Sequence, residues 1–306
     1  MVSLREILAR IVPSQEARLM YHSYDIVGDI AIVKIPCELD EYEAQIGKAF
    51  HEARPKLKSV FRVVGETEEI ERNRKLKLIW ARRLPSEGNV QADPETLGRT
   101  VYREHGCRFA VDVRRVFFTP RLSYERMRIA KQVKPGEVVA NMFGGVGTYA
   151  IIIAKTCPEV GRVYTIDVSQ LAHQLAKENT IINRCQGKVI SILGDAQKVC
   201  KDQLKGVCDR VIMPLPEHAS SFLDGAVAAL KEGVECVVNY YTQISGKEVE
   251  GKVDSAIQKT EAQMRDFGVK EFEADKWRIV REVGPRRYHV SIDLIVTVSQ
   301  GASSLK

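Results

Sequence analysis

No stretch of this chain approaches the roughly 18 consecutive apolar residues needed to cross a bilayer. Its opening, MVSLREILARIV, lacks the basic, then apolar, then small-residue order of a secretory leader. The two absences argue for a cytoplasmic protein with no membrane partner. Cysteines at 37, 107, 157, 185, 200, 208 and 236 form no C-x-x-C pair, and no histidine lies at ligand spacing from them. Neither a zinc site nor a disulfide framework is therefore signalled, and no metal is expected. The thiols read as small buried apolar residues. Internal repeats and low-complexity tracts are also missing.

What the chain does contain is ordinary globular material. Its 306 residues, 44% hydrophobic and 28% charged, suit two domains of usual size. Charge is unevenly spread: residues 53–134 hold 20 Lys plus Arg against 10 Asp plus Glu, a balance of +10. With +6 for the whole chain, the remainder sums to 6 − 10 = −4. Such a segment either faces a polyanionic partner or is simply a solvated surface.

Leu4, Ile7, Leu8 and Ile11 recur at helical spacing, and Pro13 ends that helix. YDIVGDIAIVKIP alternates and predicts a hairpin around Gly28-Asp29, and a polar helix follows from Leu39 to about Glu52. SVFRVV, LKLIWARRL, TVYREHG and CRFAVDVRRVFF predict further strands. These elements make an α+β N-terminal domain over 1–119. Strand and helix patterns then alternate through EVVANMF, RVYTIDV, KVISILGD, DRVIMPLP and VECVVNYYT to a final YHVSIDLIVTV. That alternation predicts a second, Rossmann-like α/β domain over 120–306, a mostly parallel sheet with helices on both faces.

Within EVVANMFGGVGTYAIIIAK, a buried strand runs into Gly144, Gly145 and Gly147 and then into a helix. GVGTYA satisfies the dinucleotide pattern G-x-G-x-x-G/A, and Asp167 lies 20 residues beyond Gly147, where an acid binds ribose hydroxyls. A nicotinamide oxidoreductase is thus one reading. Two features favour another. Asn141 ends the first strand and Asp195 follows the third, so successive strand ends each offer a polar group. That set suits the amino acid, ribose and adenine of S-adenosylmethionine.

NMFGGVGTYAIIIAK, YTIDVS and LGDA resemble the first motifs of class I methyltransferases. More specifically, VDVRRVFFTPRLSYERMRIA, DRVIMPLPEHASSFLDGA, VNYYT and GPRRYHVSIDL resemble the archaeal and eukaryotic tRNA guanine-37 N1-methyltransferases, over about Tyr24 to Val298. The resemblance implies a monomeric archaeal enzyme that acts on the anticodon stem-loop of tRNA. It implies Glu125 as the base for guanine N1, Arg126 and Arg121 ordering the site, and Arg72 supporting guanine O6. The implied cofactor positions are Asn141, Phe143, Gly144, Gly145, Gly147, Asp167, Asp195 and Pro214. On the substrate side Pro216 is implied, and Tyr124, Tyr240 and Tyr241 are candidates for stacking a base.

Neutral guanine carries a proton on N1, and methylation there needs that proton removed while charge gathers on O6. A carboxylate and an arginine divide this work, and in-line placement of the methyl supplies much of the rate. A base in an anticodon loop must also be splayed out onto a basic, aromatic surface, which the segment of +10 would provide. Without the resemblance, Glu125 reads only as an acid in a helix's first turn, and His218 as a solvated loop residue. The chain departs from the family in having Pro214-Leu215-Pro216 where Asn-Leu-Pro is usual, Asn141 where Asp is common, and a start close to the hairpin that normally follows a tRNA-elbow domain. The wybutosine-pathway aminocarboxypropyltransferases, which share the fold and the donor, are the nearest alternative.

Overall fold

The structure, a computed structural model, describes residues 3–12, 24–65, 75–82 and 94–300. Its contacts divide it into two compact units, Met1–Arg121 and Leu122–Lys306.

In the first unit, α1 (Leu4–Ile11) is held at its start by a reciprocal cap: Glu6 N–H donates to Ser3 Oγ and Ser3 N–H to Glu6 Oε2. The expected hairpin forms between β1 (Tyr24–Val27) and β2 (Ile30–Val33). Gly28 turns it with φ +57, and a Cβ there would lie 2.1 Å from Thr100 Oγ1, so both conformation and space demand glycine. A 3-10 turn (Cys37–Tyr42) and α2 (Glu43–Ala53) replace the single helix read from Leu39. β3 (Ser59–Val63) pairs parallel to β2, and β4 (Leu76–Ala81) completes the sheet in the order β1-β2-β3-β4. A short α3 (Pro94–Gly98) leads into the separate ribbon β5 (Arg99–Glu104) and β6 (Cys107–Asp112). Leu8, Leu39, Ile46, Phe50 and Val60 centre the core of this unit.

The second unit opens with α4 (Ser123–Gln132). It continues as β7 (Val138–Asn141), α5 (Thr148–Thr156), β8 (Arg162–Asp167), α6 (Gln170–Ile182), β9 (Val189–Leu193), α7 (Ala196–Asp202) and β10 (Arg210–Met213). α8 (Leu223–Ala229), β11 (Glu235–Ser245), α9 (Val249–Asp266), β12 (Val269–Gly284) and β13 (Arg287–Val298) complete it. The strands order as β12-β13-β11-β10-β7-β8-β9. The five from β9 to β11 are parallel, and β13 and β12 close the edge antiparallel. This is the mostly parallel sheet that the alternating pattern predicts. Central strands read as unbroken apolar runs because both faces are covered; all four residues of β10 are buried. The sequence reading missed β12. Phe272, Ala274, Trp277 and Ile279 alternate with charged residues, but the Asp275-Lys276 pair breaks the phase where the pairing with β13 shifts register, and eight charges give it the look of a charged edge strand rather than of a core one.

Candidate active site

The glycine loop leaves β7 at Asn141 and enters α5 at Gly147. Gly145 and Gly147 hold φ of +54 and +83, and Phe143 adopts +58 without glycine's freedom, a strain of order 1–3 kcal/mol. Phe143 is fixed there by an edge-to-face contact with Phe222, centroids 4.7 Å apart. Gly144 N–H donates to the Ile166 carbonyl at 2.7 Å, and a Cβ on Gly144 would meet Thr165 Oγ1 at 1.9 Å. The loop therefore lies directly on β8.

Beneath it, Asn141 and Thr165 are register partners on β7 and β8. Both are buried, and both side-chain atoms of the Asn141 amide and the Thr165 hydroxyl lack a hydrogen-bond partner among the described residues. Each such group costs about 1–3 kcal/mol, and orphaned groups clustered where parallel strands end mark a ligand site.

The acids beside them are already at work. Asp167 accepts from Gly145 N–H at 2.7 Å and Ser169 N–H at 2.9 Å, tying the loop to the end of β8. Asp195 caps α7, accepting from Lys198 N–H at 2.9 Å. Pro214 and Pro216 are half-buried in the turn after β10, where Leu215 N–H donates to the Met213 carbonyl at 2.8 Å. His173, on α6, meets Ser191 Oγ at 2.8 Å; burial and then the Lys177 charge lower its pKa.

Glu125 is 2% exposed in the first turn of α4. The packed face of that helix, 125, 126, 129 and 130, carries a carboxylate and a guanidinium at two of four core positions, which is costly unless partners are supplied. Arg128 supplies those of the carboxylate, its Nε donating to Glu125 Oε2 at 2.9 Å and its Nη2 to Oε1 at 2.8 Å. Tyr241 OH donates to Oε1 at 2.7 Å and lies 3.3 Å from Tyr149 OH. Tyr149 stands just past Gly147, so one pair of hydroxyls links Glu125 to the glycine loop.

Period-two alternation turns Asn239 and Tyr241 of β11, and Ser291 and Asp293 of β13, toward the same helix. Asp293 accepts from Arg128, at 3.1 Å on Oδ1, and from Gln132 and Asn239 at 2.7 and 2.8 Å. Burial alone would raise its pKa; these bonds more than offset that and hold the pKa below the ordinary carboxyl value. Arg128 is likewise pulled down by burial and raised further by its two carboxylates. Burial, followed by its neighbours' charge, holds the Tyr241 phenol well above its usual range.

The other expected site residues stand in varied settings. Tyr240 and Tyr241 are 4% and 2% exposed, so neither offers a face for a base. Consecutive residues of a strand covered on both faces are both buried, Tyr240 in the main core and Tyr241 against Glu125. Tyr124 is 70% exposed, with the Arg278 guanidinium 4.6 Å from its ring centroid. Arg126 is buried on α4. Arg121 donates to Asp25 at 2.6 Å within the first unit, and Arg72 falls outside the described residues. Sequence reasoning missed Arg128, Tyr149, Thr165, Arg278 and Asp293. Arg128 alone carried a signal, the i, i+3 spacing from Glu125. No group of His, Cys, Asp or Glu among the described residues could hold a metal, and no described helix is long and apolar enough to cross a membrane.

Residues 100–271 match the family described as the TRM5/TYW2 methyltransferase domain, and residues 4–82 match the TYW2 N-terminal domain. The chain is 34% identical to the tRNA (guanine(37)-N(1))-methyltransferase Trm5b of Pyrococcus abyssi, over 96% of this chain and 80% of that protein. The crystal structure of P. abyssi Trm5b superposes with a TM-score of 0.79, covering 97% and 81% of the two chains. The tRNA 4-demethylwyosine(37)-methyltransferase Taw21 of Saccharolobus solfataricus is 31% identical over 92% of this chain and 96% of its own. A structure titled as the complex of aTrm5 and tRNALeu also gives 0.79, at 31% identity, covering 97% and 78%. Matched through more than half its length and carrying that family's sheet, the chain belongs to the TRM5/TYW2 methyltransferases.

Proposed function

We propose that this enzyme transfers a methyl group from S-adenosylmethionine to N1 of guanine 37 in a tRNA anticodon loop, with Glu125 as general base. The observation that carries the reading is a buried carboxylate at the C-terminal edge of the sheet, joined through Tyr241 and Tyr149 to the glycine loop. The donor fits the unmet groups on the other side. The Asn141 amide and Thr165 hydroxyl would bind its polar atoms, Asp167 its ribose hydroxyls and Asp195 its adenine amine, with Gly144 leaving room for close approach. The nicotinamide reading of the same glycines finds no support in the family match.

When bound, the donor supplies a methyl carbon whose bond to sulfur breaks with its electron pair remaining on sulfur. The protein's part is to take the N1 proton on Glu125, to stabilise the charge that gathers on O6, a role the resemblance assigns to Arg72, and to exclude water. Exposed Arg99, Arg103, Arg108, Arg114 and Arg115 of the basic first unit would hold the tRNA backbone through salt-sensitive phosphate contacts.

One feature favours a second acceptor. Pro214-Leu215-Pro216 offers no side-chain amide in the turn after β10, and Taw21, matched over 96% of its length, is named for 4-demethylwyosine. Mass spectrometry of nucleosides decides the matter. The full chain and labelled donor are incubated with tRNA bearing guanosine or 4-demethylwyosine at 37. The main reading expects methylguanosine. Methyl found on the tricyclic base alone supports the second reading, and an aminocarboxypropyl adduct rejects both.

A further inference from the structure

Four donors converge on Glu125, and they are not alike. Arg128 Nε, Arg128 Nη2 and Tyr241 OH stand at 2.9, 2.8 and 2.7 Å and belong to the buried network. The fourth, Arg278 Nη1, is 3.5 Å from Oε2, on a side chain 35% exposed. Arg278 pairs with Ser291 in the register of β12 and β13, which turns it to the same face as Asp293. Its guanidinium also lies 4.6 Å from the centroid of the open Tyr124 ring. A flat cation thus rests on an exposed aromatic face with its edge toward a buried carboxylate. A purine with a ring N–H would make the same two contacts.

Both contacts of Arg278 are of weak kinds, a cation–π pair at an exposed ring and a long ion pair. Those of Arg128 cannot be broken without stranding two buried carboxylates. An incoming N–H therefore gains access to Glu125 at Oε2, by replacing Arg278.

We propose that Arg278 is a substrate-contacting residue of this site. It occupies the seat of the target base in the free protein. On entry of the base it cedes Oε2 to the ring N–H and donates instead to the exocyclic oxygen beside that nitrogen. The proton passes from N1 to Glu125 Oε2, the charge it leaves spreads to O6 against the guanidinium, and the N1 electron pair forms the new bond to the methyl carbon as the sulfur–carbon bond breaks. The assignment rests on the guanine reading above and gives Arg278 the contact that the resemblance gives Arg72.

Single-turnover transfer to tRNA carrying guanosine or 6-thioguanosine at 37 tests it, because sulfur is a poor acceptor. In the wild type the thio substitution should slow transfer about tenfold, the worth of one charge-assisted hydrogen bond. Arg278→Ala should slow transfer to guanosine roughly 100-fold and abolish the thio effect. Arg278→Lys should retain part of both rate and effect, and in both variants tRNA affinity measured without methyl donor should change far less than the rate. Without donor, long-wave ultraviolet should crosslink the thio base of bound tRNA to the peptide holding Tyr124 or Arg278. A thio effect that persists in Arg278→Ala and disappears in Arg72→Ala, or crosslinks mapping away from both peptides, overturns the assignment while the guanine reading stands. Failure of the wild type to methylate guanosine overturns both.

Discussion

Two regions of one sheet treat buried polar groups in opposite ways. Under the glycine loop, the side chains of Asn141 and Thr165 are buried with no hydrogen-bond partner among the described residues. Where α4 lies over β11 and β13, by contrast, Glu125, Arg128, Asp293 and Asn239 are joined by hydrogen bonds. In the proposed reading the methyl donor satisfies the first arrangement. The second holds the proposed base in place through partners of its own. The proposed function thus divides binding and chemistry between a strained loop over unbonded side chains and a densely bonded network.

Substitutions that treat the two regions alike in chemistry should separate them in outcome. The largest difference is expected from Arg128→Ala, which leaves Glu125 and Asp293 buried without their shared cation and should cost about 3–5 kcal/mol of unfolding free energy. Urea denaturation measures it, and a loss below about 1 kcal/mol, the range of exposed pairs, would erase the contrast. Gly144→Ala sets a Cβ 1.9 Å from Thr165 Oγ1 and should cost about 1–3 kcal/mol by overpacking. Calorimetry should also show donor affinity falling. Asn141→Ala removes two groups that nothing satisfies. Stability of the free protein should change by less than about 1 kcal/mol while donor affinity drops about tenfold or more; a large loss of stability would mean the amide is already bonded.

The smallest effect is acid dependence. Asp293 is held below its ordinary 3.8 in the folded protein, so the folded state binds its proton less readily than the unfolded state does. The resulting stability is complete above that ordinary value and is lost as pH falls through the lower folded one. Wild type should therefore exceed Asp293→Asn in stability at neutral pH, with the gap closing from about pH 4 downward. A gap independent of pH contradicts this.

The sequence disclosed the incomplete region better than the complete one. Left-handed conformations and close approach to β8 admit glycine at 144, 145 and 147, and covered parallel strands leave unbroken apolar runs, so loop and sheet were legible. Thr165 was not, being one more β-branched residue in a strand. The network was largely hidden, because Tyr241, Arg278 and Asp293 lie more than a hundred residues from Glu125 and meet it only through the register of β11, β12 and β13. The same sheet explains Tyr240 and Tyr241: as candidates for stacking a base they needed an open face, although a strand-end tyrosine is more often a core or rim residue, and a sheet covered on both sides buries them.

The most direct measurement is single-turnover methyl transfer to guanosine-37 tRNA by wild type and Glu125→Gln, with donor and tRNA affinities measured separately. Glutamine keeps the size of the side chain and removes the base, so the rate should fall about 10²- to 10⁴-fold with both affinities retained. A Glu125→Gln enzyme that methylates guanosine as fast as wild type would contradict the account.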